Sequence, residues 1–146
     1  MATIYDMADD IVAAINAGGL DVTATRGYLV DYDLPDLTTT RVTVIPLEEK
    51  RERESRDCIN RLVRYNVFIG KKLADGDGTT VIDNAEVDAL VKLASDIAIL
   101  LEGTALPTTN NQPIAIKREV ISYDALADHR LFACALTVTY LFYENL

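Results

Sequence analysis

With 146 residues the chain has the length of one domain, here taken as a single α+β domain over 1–146, and enough of it to bury a real core. Apolar residues make up 49% and charged residues 25%, an ordinary globular balance that argues against disorder or a fibrous repeat. Fourteen basic residues against twenty-three acidic ones leave a net charge of −9, which argues against a general nucleic-acid binder because phosphates must be neutralised by cations.

The apolar runs are too short or too interrupted to span a bilayer, which needs about 20 apolar residues. The opening M-A-T-I-Y-D-M-A-D-D has no basic stretch or cleavage pattern, so no signal peptide is expected. Cys58 and Cys134 are too few for a disulfide framework and read as reduced, buried thiols. One histidine and two distant cysteines assemble no zinc-ligand spacing.

Residues 4–17 read as an amphipathic helix, with Ile4, Met7, Ile11, Val12 and Ile15 at helical spacing. Thr3 is placed to cap its start, and Gly18-Gly19 to supply a left-handed stop. Asp6, Asp9 and Asp10 suit the positive end of the helix dipole. From Val22 to Val30 the chain reads as extended, with Tyr28 and Val30 on its buried side. D-Y-D-L-P-D-L then reads as a loop, because Pro35 keeps Leu34 out of the helical region. Arg41–Leu47 reads as a second strand, with Val42 and Val44 on one face and Pro46 as its end.

Residues 48–57, E-E-K-R-E-R-E-S-R-D, are charged at nine of ten positions with mixed sign. A solvated loop or ribbon extension is the plainest reading. The alternative is a flexible arm that orders on a partner, with Arg51, Arg53 and Arg56 reaching carboxylates across an interface. A third strand, Ile59–Leu73, follows, with Val63, Tyr65, Val67 and Ile69 on one side and Arg64 and Asn66 on the other. A-D-G-D-G-T-T is a turn region.

Asn84–Glu102 reads as the best-marked helix. Asp83 is its expected cap, Glu86 completes a capping-box-like pair, and Ile82 with Val87 forms a hydrophobic staple. Val87, Leu90, Val91, Ala94, Ile97, Ala98 and Leu101 make its buried stripe, and Gly103 ends it. A-L-P-T-T-N-N-Q-P is a loop, Ile114–Ser122 a fourth strand, and Y-D-A-L-A-D-H a connection. In the last strand, Arg130–Glu144, alternate positions separate into a bulky face and a small or hydroxylic one. Phe132, Cys134, Leu136, Val138, Tyr140 and Phe142 make the first, expected to pack on helices. Ala133, Ala135, Thr137 and Thr139 belong to the second, suited to solvent or to a surface covered in an assembly. The order α-β-β-β-α-β-β predicts an α+β fold, an antiparallel or mixed sheet of about 4–5 strands with both helices on one face.

No catalytic constellation and no cofactor motif emerges. Asp75, Asp77, Thr79, Val81, Asp83 and Glu86 approach the spacing of a calcium loop, but Thr80 stands where its glycine is needed. His129 stands alone beside acidic residues, with no nucleophile elbow nearby. Neither glycine pair has a phosphate-loop context.

Taken in order, these pieces resemble the tail-terminator (tail-completion, neck) proteins of long-tailed bacteriophages. The resemblance runs over essentially the whole chain. It is carried by the opening helix, D-L-P-D-L, R-V-T-V-I-P, a charged loop with S-R, R-L-V-R-Y-N-V-F-I-G and N-A-E-V-D-A-L-V-K-L. The closing Y-D-A-L-A-D-H-R-L-F-A-C-A-L-T-V-T-Y looks most like the family. What the resemblance implies is a structural subunit of the virion, made in the bacterial cytoplasm. It would form a homo-hexameric ring between the tail tube protein and the head-side connector or stopper protein. Genomic DNA would pass through without specific binding, and neither membrane nor cofactor is involved. The family has no catalytic residues to carry over. Against that role, Arg51, Arg53 and Arg56 of the arm and the face Ala133, Ala135, Thr137 and Thr139 are the expected partner or ring contacts. Other virion adaptors, such as a head-side stopper or minor tail subunit, share the pattern. A small-ligand-binding domain is the competitor from a different class.

Overall fold

The structure, a computed structural model, describes residues 3–28, 39–73, 84–118 and 131–145. The elements are α1 (Ile4–Ala17), β1 (Ala24–Arg26), β2 (Arg41–Ser55), β3 (Cys58–Lys72), α2 (Asn84–Glu102), β4 (Ala115–Arg118) and β5 (Leu131–Asn145). The expected α+β order is present, and the sheet is mixed. Its five strands run β1-β2-β3-β5-β4, with β1 parallel to β2 and every other pair antiparallel.

Thr3 caps α1 as expected, in a full capping box: its Oγ1 accepts from the Asp6 N–H, and the Asp6 carboxylate accepts from the Thr3 N–H at 2.9 Å. Those bonds to Thr3 hold the Asp6 carboxyl below its ordinary value of 3.8. The stop divides between two glycines. Gly18 is right-handed and bonds back to the Ile15 carbonyl, while the left-handed residue is Gly19, at φ 69°. Asn16 then clamps the chain onto the sheet, accepting from the Ala24 N–H at 2.7 Å and donating to its carbonyl at 3.2 Å.

The first extended segment is shorter than its sequence suggests. Pairing with β2 covers only Ala24–Arg26, and Gly27 makes a last bond to Val44. Tyr28 was expected on the buried side and is instead 65% exposed, because the chain has already left the sheet there. Val30 and the D-Y-D-L-P-D-L loop lie outside the described residues.

β2 does not end at Pro46. It runs on to Ser55 through a register shift between Pro46 and Glu48. β1 flanks β2 only at Val42–Val44, so among the described residues Pro46 stands where the strand has become an edge and its missing N–H deprives no flanking strand. The charged stretch is thus a β-ribbon, closed by a tight turn at Arg56-Asp57 with Ser55 opposite Cys58.

β3 and β5 pair without interruption from Cys58↔Asn145 to Lys72↔Leu131. Their alternation is the one expected: Val63, Tyr65, Val67 and Ile69 meet Tyr140, Val138, Leu136 and Cys134 on one face, all of them buried. Met7, Ala8, Ile11 and Ile15 of α1 and Leu90, Ala94, Ile97 and Leu101 of α2 complete this core. Truncating one such side chain, Ile97→Ala for instance, would cost about 2–5 kcal/mol. Gly103 ends α2 with a bond to the Ile99 carbonyl, as expected. Its Asp83 cap and Ile82, the glycine-rich turn, residues 119–122 and the connection through His129 lie outside the described residues.

Candidate interaction surface

The helices cover only one end of the three long strands, Val42–Val44 of β2, Val63–Ile69 of β3 and Phe132–Tyr140 of β5. From Leu47 to Ser55 every residue of β2 is exposed, and the distal halves of β3 and β5 run beside it as a three-stranded prong. A 15-residue strand spans about 50 Å at about 3.3 Å per residue, well beyond an ordinary strand.

The candidate residues divide between the two faces of this sheet. Arg51 lies opposite Arg61, and Arg53 opposite Ile59, on the side where the core and helices sit. Ala133, Ala135, Thr137 and Thr139 lie on the other side, opposite Gly70, Phe68, Asn66 and Arg64. Arm and small-residue stripe therefore form no common surface. Nor is the stripe open, since Ala135 and Thr139 are buried and Ala133 and Thr137 half-buried.

The three arginines also differ among themselves. Arg51 is spent inside the chain, on Glu144 at 3.0 Å and Glu49 at 3.6 Å. Arg53 donates to the Arg56 carbonyl at 2.8 Å and so braces the turn. Arg53 and Arg56 are both exposed at the tip, without an ion pair among the described residues. Other charges of the ribbon pair along it, Arg64 with Glu48 at 3.1 Å and Lys50 with Glu52 at 3.0 Å. Paired at this exposure, such bridges contribute about 0–1 kcal/mol each.

Sequence reasoning missed Arg61. Its side chain is 3% exposed and meets Glu49 at 2.7 Å, with the Phe142 ring centred 4.6 Å from its guanidinium. The signal was present: Arg61 falls on the same alternation as Val63, Tyr65 and Val67, so a strand turns it inward.

Two open clefts are of a size to take a small ligand. One of about 640 Å³ lies where Gly19–Thr23 meets Thr39–Arg41, and its Asn16 is already committed to Ala24. The other, of about 620 Å³, lies between Thr108–Asn111 and the end of β5, with Arg61 in its wall. Among the described residues no group of three or more His, Cys, Asp or Glu is placed to hold a metal ion. Glu86, the last position of the calcium-like spacing, pairs with Lys71 at 3.5 Å; the earlier positions lie outside the described residues.

Neither cysteine is in a disulfide. Cys134 is buried as expected, whereas Cys58 is half-buried at the ribbon turn. Burial and the neighbouring Glu54 push the Cys58 thiol above its ordinary value, which disfavours the reactive thiolate. No described helix is long and apolar enough to cross a membrane. No protein-family model matches the chain, and no curated protein sequence matches it either.

Proposed function

We propose that this protein is a structural component of a tailed-bacteriophage virion, a tail-terminator-like subunit. In this reading copies form a ring, taken as a hexamer, that ends the tail tube and joins it to the head-side connector. The observation that carries the reading is the prong: three long strands extend beyond the helices with a charged, well-paired ribbon and an exposed Arg53–Arg56 tip. A projection of this kind adds little to the core of its own subunit, while it offers a large surface to a neighbour. The family resemblance of the sequence supplies the identity of that neighbour, and the net charge of −9 suits a conduit that must not retain DNA.

Size-exclusion chromatography with light scattering at several concentrations, followed by negative-stain imaging, tests the proposal. Annular particles, alone or after addition of purified tail tubes, are the expected result. A strict monomer that also ignores tail tubes would overturn it.

A further inference from the structure

We propose that the outer edge of β2 from Leu47 to Ser55 is a self-association surface, on which a second copy of this chain lays its own β2 antiparallel across a two-fold axis. The inference goes beyond the ring: a two-fold contact closes at two copies, whereas a ring contact repeats head to tail. Among the described residues, the outer flank of β2 takes its last partners from β1 at Val42–Val44 and from the Gly27 N–H, which donates to the Val44 carbonyl. Beyond that point β2 pairs on its β3 side alone among those residues, and Leu47 to Ser55 are all exposed. A strand edge of this length carries a row of backbone N–H and C=O groups suited to another strand.

Charge often guards such an edge, but it repels only where like signs meet. Here the signs themselves favour a second copy. Two β2 strands paired about a two-fold normal to the sheet turn the same face up, so opposing residue numbers have a constant, even sum. Centred on Arg51, the pairing sets Lys50 opposite Glu52 and Glu49 opposite Arg53, each twice by symmetry. The like-signed positions of that register already have counter-charges in their own chain. Arg51, which meets its own copy, holds Glu144 at 3.0 Å, and Glu48, opposite Glu54, holds Arg64 at 3.1 Å. Neighbouring registers are worse. Centring on Lys50 sets Glu48 against Glu52, and centring on Glu52 sets Arg51 against Arg53. Centring on Glu49 draws Pro46, which has no N–H to give, into the ladder. The Arg51 register also uses the whole edge and no more. Ser55 of one copy meets Leu47 of the other, so each turn at Arg56-Asp57 ends short of Val42–Val44, where β1 already sits.

Native mass spectrometry and light scattering over a concentration series test the surface on the whole chain, with Lys50→Glu and Glu52→Lys as variants. Both side chains are more than half exposed, at 57% and 63%, so both variants should fold, and unchanged melts check this. Wild type should form dimers, and hydrogen exchange over residues 48–54 should slow as concentration rises. K50E or E52K alone sets like charges opposite each other twice and should weaken dimerisation by on the order of tenfold. An equimolar mixture of the two restores opposite signs at both contacts and should give the mixed dimer in preference to either parent. A wild type that stays monomeric at every concentration overturns the surface even if it closes into rings on added tail tubes, so this failure is distinct from that of the ring. Single variants that associate as wild type does, or a mixture that recovers nothing, overturn it as well.

Discussion

The Tyr65 hydroxyl donates to the Ile4 carbonyl at 2.7 Å, tying β3 to the first residue of α1, whereas Tyr140, whose ring meets Tyr65 edge-on at 6.1 Å, buries its hydroxyl with no hydrogen-bond partner among the described residues. The two phenols are alike in burial and opposite in hydrogen bonding. Tyr65→Phe should therefore cost about 1 kcal/mol, the net worth of a buried hydrogen bond. Tyr140→Phe removes an unsatisfied polar atom at constant shape and should be neutral or stabilising. Urea titrations of the two variants, compared by midpoint at unchanged slope, check this. A larger loss for Tyr140→Phe than for Tyr65→Phe would contradict it.

The same burial sets an alkaline limit. Desolvation pushes both phenols well above their ordinary value of 10; at Tyr65 the neighbouring Tyr140 and Glu49 add to the rise and Arg61 opposes it, and at Tyr140 Asp10 adds to it. A raised folded value means that the unfolded chain ionises first. The associated stability is complete below about pH 10 and falls as pH rises from there toward the folded value. Melting temperature should drop steeply above pH 10, and Tyr140→Phe should flatten that drop while leaving the pH 7 melt nearly unchanged. Equal alkaline slopes for wild type and variant would show that other groups control it.

Alternation made the interior of the long strands legible, because a two-residue period assigns each side chain to a face without any knowledge of partners. Val63, Tyr65, Val67 and Ile69 against Cys134, Leu136, Val138 and Tyr140 follow directly. Pro46 misled, since proline ends a central strand and not an edge, and whether β2 is central there depends on how short β1 is. Tyr28 misled for the same reason: its burial required a strand that pairing stops at Arg26. Arg61 was hidden by its type, because an arginine in a strand is read as solvent-facing unless its counter-charges are known, and Glu144 lies 83 positions away in the chain. The candidate surface was legible as a charged ribbon. That its arginines and the small-residue stripe fall on opposite faces depends on register, which the composition of either segment does not fix.

Gly18 and Gly19 are adjacent and should fail differently. At Gly18 the backbone is right-handed, but an added Cβ would collide with the Leu100 methyl where α1 meets α2. At Gly19 space is open, and the obstacle is the left-handed φ of 69°. Gly19→Ala should cost about 1–2 kcal/mol regardless of its surroundings. The cost of Gly18→Ala should shrink in a Leu100→Ala background, where the colliding methyl is gone. Two double-mutant cycles, each glycine variant against Leu100→Ala, measure this by melts, with coupling expected for Gly18 and additivity for Gly19.

The arginines of the ribbon can be separated by what each already touches. Arg51 is held between Glu49 and Glu144, so Arg51→Glu places a third carboxylate against those two and should lower the melting temperature by several degrees. Arg53 and Arg56 are exposed, and the side chain of neither is ion-paired among the described residues. R53E/R56E removes only the exposed bond from Arg53 to the Arg56 carbonyl and should cost no more than about 1 kcal/mol. If the tip contacts a neighbouring subunit, that variant should nonetheless shift light-scattering mass from ring to monomer, while R51E loses both stability and assembly. An R53E/R56E protein that melts and assembles like wild type would remove the tip from the interface. The contact would then have to be sought along the exposed flank of β2, where Lys50 and Glu52 pair in the open.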